Sequence, residues 1–251
     1  MIGTYTPRQL LPLISWEHFC HTWDVTTDST QGVALINEAK RLIENDSSER
    51  LTARWMLHIV EAHAENDNII LADGTCLPFL RQQTPGSDGF CRSLSDLVDE
   101  HTPERICILA TSVGVVPINA NGISDDPYIH LLNTTLADRL AEAAAEQLQL
   151  DVQKQKILKT GTIIRPAVGY PSIPDLSMNF ILDSVCHFQQ IGISLTEHGM
   201  MRPHSSISGF MFSHPKARYF SISHISEEQL IDYANRRKMP IDELKKYVSI
   251  I

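Results

Sequence analysis

The residues best suited to chemistry form one short run, Arg165-Pro166-Ala167-Val168-Gly169-Tyr170-Pro171, with Pro174 just beyond it. Each proline fixes its own φ, removes a hydrogen-bond donor and pushes the preceding residue toward an extended conformation. Gly169 can adopt backbone angles that other residues avoid. The run therefore reads as a stiff, extended segment that ordinary ladder bonds do not cover, suited to presenting main-chain atoms to a small ligand. Arg165 offers a planar fork that matches a carboxylate through two parallel hydrogen bonds. Tyr170 adds a flat face and a hydroxyl. The same residues also suit a proline-rich connector with a solvated arginine, since proline and glycine mark turns and loops in general.

Other chemistries find little footing. The G-x-G-x-x-G and P-loop patterns are absent, as is the G-x-S-x-G nucleophile turn. Five cysteines (Cys20, Cys76, Cys91, Cys107, Cys186) are scattered without a C-x-x-C pair, so neither a zinc knuckle nor a thioredoxin-like motif is expected. Histidines gather in the C-terminal third (His187, His198, His204, His214, His224). They lack the spacing of a metal-ligand pair, and no metal site is expected. No residue is singled out as catalytic.

The chain has 251 residues, 43% of them hydrophobic, and a formal net charge of −9. That length supports a sizeable core. The acidic balance, with no Lys/Arg cluster, argues against a nucleic-acid partner or an anionic membrane surface. No apolar run approaches membrane-spanning length. Met1-Ile-Gly-Thr-Tyr-Thr-Pro7 has neither a basic lead nor a long apolar stretch, so no secretory signal is expected and the chain reads as cytoplasmic.

The elements that must position Arg165 and Tyr170 can be traced in order. Residues 1–13 read as a polar lead-in. Ser15 caps a short helix whose Trp16, Phe19, Cys20 and Trp23 share a core-facing stripe. Residues 31–45 read as an amphipathic helix burying Val33, Ile36, Ala39, Leu42 and Ile43. Strands over 53–60 and 68–72 form a hairpin, a Gly/Pro/Ser loop covers 84–89, and 105–114 is a buried strand entering a Pro/Gly-rich loop. The longest helix runs over about 128–155, starting from Asp125-Asp126-Pro127, with Leu132, Leu136, Leu140, Ala143 and Ala144 inward. A helix is expected over 176–192, a hairpin of strands 206–214 and 217–225, a helix capped by Ser226 with Leu230, Tyr233 and Ala234 inward, and a last helix over 241–249. The mixture predicts an α+β fold: a single mixed domain over 1–251, with a central antiparallel sheet and flanking helices.

Several separated segments carry a resemblance. Arg-Pro-Ala-Val-Gly-Tyr-Pro-Ser-Ile-Pro-Asp, Thr135-Leu-Ala-Asp-Arg-Leu-Ala-Glu-Ala143, Leu80-Arg81-Gln-Gln83 followed by Ser93-Leu-Ser-Asp-Leu-Val98, and Ser206-Ile-Ser-Gly-Phe-Met-Phe-Ser-His-Pro215 resemble the activation (reactivation) domain of cobalamin-dependent methionine synthase. The resemblance implies an S-adenosylmethionine site. Arg165 would clamp the methionine carboxylate, and main-chain atoms around Ala167 and Gly169 would face the ligand. Tyr170 would line the site, Glu142 would lie near the ammonium, and Tyr219 would sit by the sulfonium. Ser15 stands where the family has a ligand-contacting aspartate, Leu176 where it has histidine, Phe220 where it has a second tyrosine, and Ile173 where it has cysteine. No Asp-x-His-x-x-Gly cobalamin motif occurs, so cobalamin is expected on a partner, a cobalamin-binding methionine synthase polypeptide, with a flavodoxin-like reductant. The implied function is reactivation of that partner's cob(II)alamin by reductive methylation. The alternative is a non-catalytic docking or sensing module for a corrinoid protein.

Overall fold

The computed structural model describes residues 1–45, 51–86, 88–114 and 126–248. The Pro/Gly-rich loop after residue 114, Asp125 and the end of the last expected helix lie outside the described residues.

The lead-in is ordered. Ile2–Tyr5 forms β1, and Pro7–Leu10 is a single turn, α1, capped by Thr6. Tyr5 explains the anchoring: its ring stacks on Trp55 and its hydroxyl donates to Asp151 at 2.6 Å. Ser15 caps α2 (Trp16–His21) as expected, with Phe19 and Cys20 buried. In α3 (Thr30–Asn45) the buried residues are Gly32, Leu35, Ala39 and Ile43, and Val33 is exposed. The stripe is rotated because Gly32 sits against the Thr26 carbonyl; a Cβ there would lie 2.0 Å from that oxygen.

The strands are β2 (Ala53–Glu65), β3 (Asn68–Leu71), β4 (Cys76–Pro78) and β5 (Glu104–Val113). The long helix α4 (Pro127–Lys154) follows, then β6 (Thr162–Ile164). After them come α5 (Met178–Cys186), β7 (Ser194–Leu195), β8 (Met201–Arg202), β9 (Ser206–His214), α6 (Glu227–Arg237) and α7 (Ile241–Leu244). The main sheet has order β4-β3-β2-β5-β9-β6, with β1 also on β2. Its named pairings are antiparallel. One edge of β2 is shared, β1 taking its first half and β3 its last.

Strand periodicity divides the interior into two layers. On one face Leu57, Cys107, Leu109 and Met211 meet α3 and α4. On the other, Met56, Ile106, Ile108, Phe210 and Phe212 meet α5 and the turn after it. Because β5 is covered on both faces, it reads as a nearly continuous apolar run. A smaller cluster joins Leu80, Ile222, Leu230, Tyr233 and Leu244 under α6 and α7. The chain is thus an α+β domain with a central antiparallel sheet.

Three expectations need correction. The last helix, expected over 241–249, ends at Leu244, and residues 245–247 form turns. The helix over 176–192 is interrupted: His187 turns left-handed (φ 59°), and a 3-10 turn, Phe188–Ile191, follows. The Asp183 carboxylate accepts from the Phe188 N–H at 2.8 Å, which ends the helix and drives Phe188 into the core. Segment 217–225 is not a strand. The edge of β9 it would need is occupied by β6 and by Ala167, so the segment runs across the surface instead.

Candidate functional site

Arg165 leaves the end of β6, and the residues after it stay on β9. The Phe210 N–H donates to the Pro166 carbonyl at 3.0 Å and the Val168 N–H to the Ser208 carbonyl at 2.9 Å. Ordinary ladder bonds therefore cover the first half of the run, contrary to the sequence reading. The prolines do not prevent this, because Val168 keeps its donor and Pro166 needs only its acceptor. Close approach is allowed by Gly209, where a Cβ would lie 2.3 Å from the Pro166 oxygen. The chain then turns at Gly169 (φ 86°), and the Gly169 N–H donates to the Ile173 carbonyl at 2.8 Å.

This turn forms one wall of a cavity of about 390 Å³ lined by Glu142, Arg165, Ala167, Tyr170, Tyr219 and Phe220, among others. The volume suits a small organic ligand. Glu142 projects from α4. Tyr219 comes from the segment that replaces the expected strand: its hydroxyl accepts from the Arg165 N–H at 2.9 Å. The same segment is tied down by Ile222, whose N–H donates to the Pro171 carbonyl at 2.8 Å, and by Gln82, whose amide donates to the Ser221 carbonyl at 3.0 Å.

The electrostatics favour a zwitterion. Arg165 Nε is buried without a hydrogen-bond partner, and among the described residues no carboxylate pairs with the guanidinium. An orphaned buried donor of this kind is costly unless a ligand satisfies it. Glu142 accepts from the Tyr170 hydroxyl, so its carboxylate already sits at the cavity wall. Burial, and then the Glu142 carboxylate, push the Tyr170 phenol up from 10.0 to about 12. The phenol is expected to titrate near that value, and Glu142→Gln should move the midpoint part of the way back, as followed by tyrosinate absorbance. The sign follows from the raised folded value. The contribution to stability is complete below pH 10 and is lost as pH climbs toward 12. A midpoint unchanged by Glu142→Gln would remove the carboxylate as a cause.

Of the residues singled out from the sequence, Arg165, Ala167, Tyr170, Glu142 and Tyr219 line this cavity, and Gly169 makes the turn between them. Ser15 is outside the lining. It is an exposed cap whose Oγ lies 2.8 Å from His18 Nδ1. Leu176 packs behind Gly169, Ile173 is buried, and Phe220 reaches the cavity itself. Sequence reasoning missed Arg139. Its Nε is also buried without a partner, and it lines a recess of about 170 Å³ next to Glu142 and Tyr170. Its position one helical turn before Glu142 was the available signal.

A larger cavity of about 620 Å³ lies behind Phe220, and its arginines are already paired. Arg81 grips Asp96 at 2.6 and 2.9 Å and Asp67 at 2.8 Å, while Arg92 and Arg218 face Asp88. Arg81 is thus the centre of an ion-pair network rather than a free surface charge. Among the described residues no group of three or more His, Cys, Asp or Glu could hold a metal ion, and no helix is long and apolar enough to cross a membrane.

Comparison with known proteins agrees with this fold. A solved structure, described as the crystal structure of the MetH reactivation domain bound to AdoHcy, matches with a TM-score of 0.88 at 26% identity. The match covers 100% of this chain and 89% of that one. A family profile described as vitamin B12 dependent methionine synthase, activation domain, matches residues 7–238. With the fold and most of the chain length in accord, this protein belongs to the activation-domain family of vitamin B12-dependent methionine synthase.

Proposed function

We propose that the cleft binds S-adenosylmethionine and that residues 1–251 act as one reactivation unit for a cobalamin protein on a separate polypeptide. The observation that carries this reading is Arg165, a half-buried guanidinium with a buried, orphaned Nε, lining the same small cavity as Glu142. An amino acid's carboxylate and ammonium satisfy these two groups together. Arg165 would bind the carboxylate, Glu142 would turn from Tyr170 toward the ammonium, and Ala167 and Gly169 would offer main-chain contacts. Tyr170 would line the site, and Tyr219 would sit by the sulfonium end. When bound, S-adenosylmethionine supplies the methyl group that, with one electron from a flavodoxin-like donor, converts the partner's cob(II)alamin to methylcobalamin and leaves S-adenosylhomocysteine. This chain's share is binding and orientation. A cytoplasmic setting fits that partnership.

Calorimetric titration with S-adenosylmethionine and S-adenosylhomocysteine, with ATP as control, tests the reading. Saturable binding of the first two is expected; absence of binding at millimolar ligand, with and without a cobalamin-binding partner, would overturn it. A second reading, a docking or sensing module that binds the ligand weakly or not at all, draws on Ser15, which lies outside the cavity lining and engages His18. Ser15→Asp separates the two. It keeps the α2 cap and is expected to tighten binding about fivefold, since a charged acceptor is stronger than a neutral one. Unchanged affinity would take this position out of the site.

A further inference from the structure

We infer that Asp175, Tyr233 and Arg237 form a buried latch that fixes the Arg165–Pro174 turn to α6 and thereby sets the affinity of the cleft, an inference that rests on the ligand reading above. Asp175 is fully buried, and both of its carboxylate oxygens are engaged. Oδ1 accepts from the Ser177 N–H at 2.8 Å and the Ser177 hydroxyl at 2.6 Å. Oδ2 accepts from the Tyr233 hydroxyl at 2.8 Å, and Arg237 Nε lies 3.3 Å from it. Arg237 donates to the Ser177 hydroxyl through Nη2, while its Nε is paired with Asp175 by charge and not by a hydrogen bond. Tyr233 is 1% exposed and the Arg237 side chain 5%.

A buried ion pair adds little stability, because desolvation offsets most of the attraction. What it does well is hold one geometry, since any displacement leaves a charge buried and unpaired. That geometry matters here because Asp175 directly follows Pro174. Upstream, the turn is clamped to β9 by the Val168–Ser208 hydrogen bond. Downstream, the latch clamps it to α6. Tyr170 lies between the two clamps, where the remaining backbone ties are few: Gly169 to Ile173, Ile173 to Tyr170, Tyr170 to Ala167 and Ile222 to Pro171. The helix that receives the latch is itself fixed to the sheet side. Arg236 donates to the Phe79 and Asp67 carbonyls at 3.0 Å. None of the three latch residues lines the cavity, so they are positioning residues that act through the turn.

Amide hydrogen exchange on Tyr233→Phe and Arg237→Lys tests the latch without any ligand, with Ile43→Val, in the opposite core layer, as a control for general loss of stability. The Gly169 and Ile173 amides are expected to exchange about tenfold faster in Tyr233→Phe, the effect of one buried hydrogen bond to a charged group. Arg237→Lys keeps the charge and should restore part of the protection that Arg237→Met loses. Acceleration at these amides no greater than in Ile43→Val would overturn the latch, and should either variant fail to fold, the other gives the same test. Calorimetry with S-adenosylhomocysteine then reads the consequence: a similar loss of affinity in Tyr233→Phe is expected, and unchanged affinity despite faster exchange would overturn the link to binding. No binding by the parent protein would overturn the ligand reading and that link together, while the exchange result would still decide the latch.

Discussion

Arg165→Ala is expected to abolish measurable binding of S-adenosylmethionine and S-adenosylhomocysteine while leaving the thermal midpoint close to that of the parent protein. The asymmetry follows from what Arg165 does and does not touch. Its side chain makes no ion pair among the described residues, and its Nε is buried without a partner, so truncation removes a cost rather than a support. A bidentate charged interaction with the ligand carboxylate is worth about 3 kcal/mol, or roughly two orders of magnitude in Kd. Arg165→Lys should recover little of this, because a point charge does not reproduce the planar fork. Calorimetry and thermal unfolding on the same preparations decide the matter. Binding at parent affinity would sink the carboxylate clamp, and a collapsed midpoint would mean that Arg165 holds the fold instead.

Gly209→Ala should have a comparably large effect by a different route. An added Cβ would lie 2.3 Å from the Pro166 oxygen and 2.8 Å from the Ala167 Cα. Both are backbone atoms and cannot rotate away. Either β9 shifts, against its partners β5 and β6, or the Arg165 turn lifts off and loses the bonds that tie Pro166 and Val168 to β9. Overpacking costs about 1–3 kcal/mol, and two lost backbone bonds cost about 1 kcal/mol each. By either route urea unfolding should show a loss of roughly 1–3 kcal/mol, and ligand binding should vanish even where the protein is still folded. Retained affinity in a folded Gly209→Ala protein would show that the turn does not depend on this close approach.

The latch and the Gly209 contact act on opposite ends of one turn, which makes them separable. Loss of the first loosens the downstream end and leaves β9 alone. The second displaces the upstream end and strains the sheet. Affinity losses from the two should add only in part, since both act through the same few residues.

Local pattern was enough to determine much of this protein. The stripe of α2, the extended run of β9, the continuous apolar run of β5 and the Ser226 cap of α6 each follow from residues close in sequence. The run from Arg165 to Pro171 was open to either a ligand-presenting turn or a connector by side-chain type alone, and the segments that resemble the family pointed to Glu142 and Tyr219, which line the same cavity as Arg165. Tertiary structure decided what local pattern cannot encode, namely which edges and faces remain free. Residues 217–225 alternate like a strand, yet β6 and Ala167 had taken the edge of β9, so Tyr219 became a cavity wall instead. Val33 faces solvent because Gly32 lets α3 settle against Thr26. The pairing of Asp175 with Tyr233 and Arg237 was hidden for a related reason: a polar side chain carries no periodic signal of its own, and its partners lie far along the chain, brought near only once the apolar layers have packed.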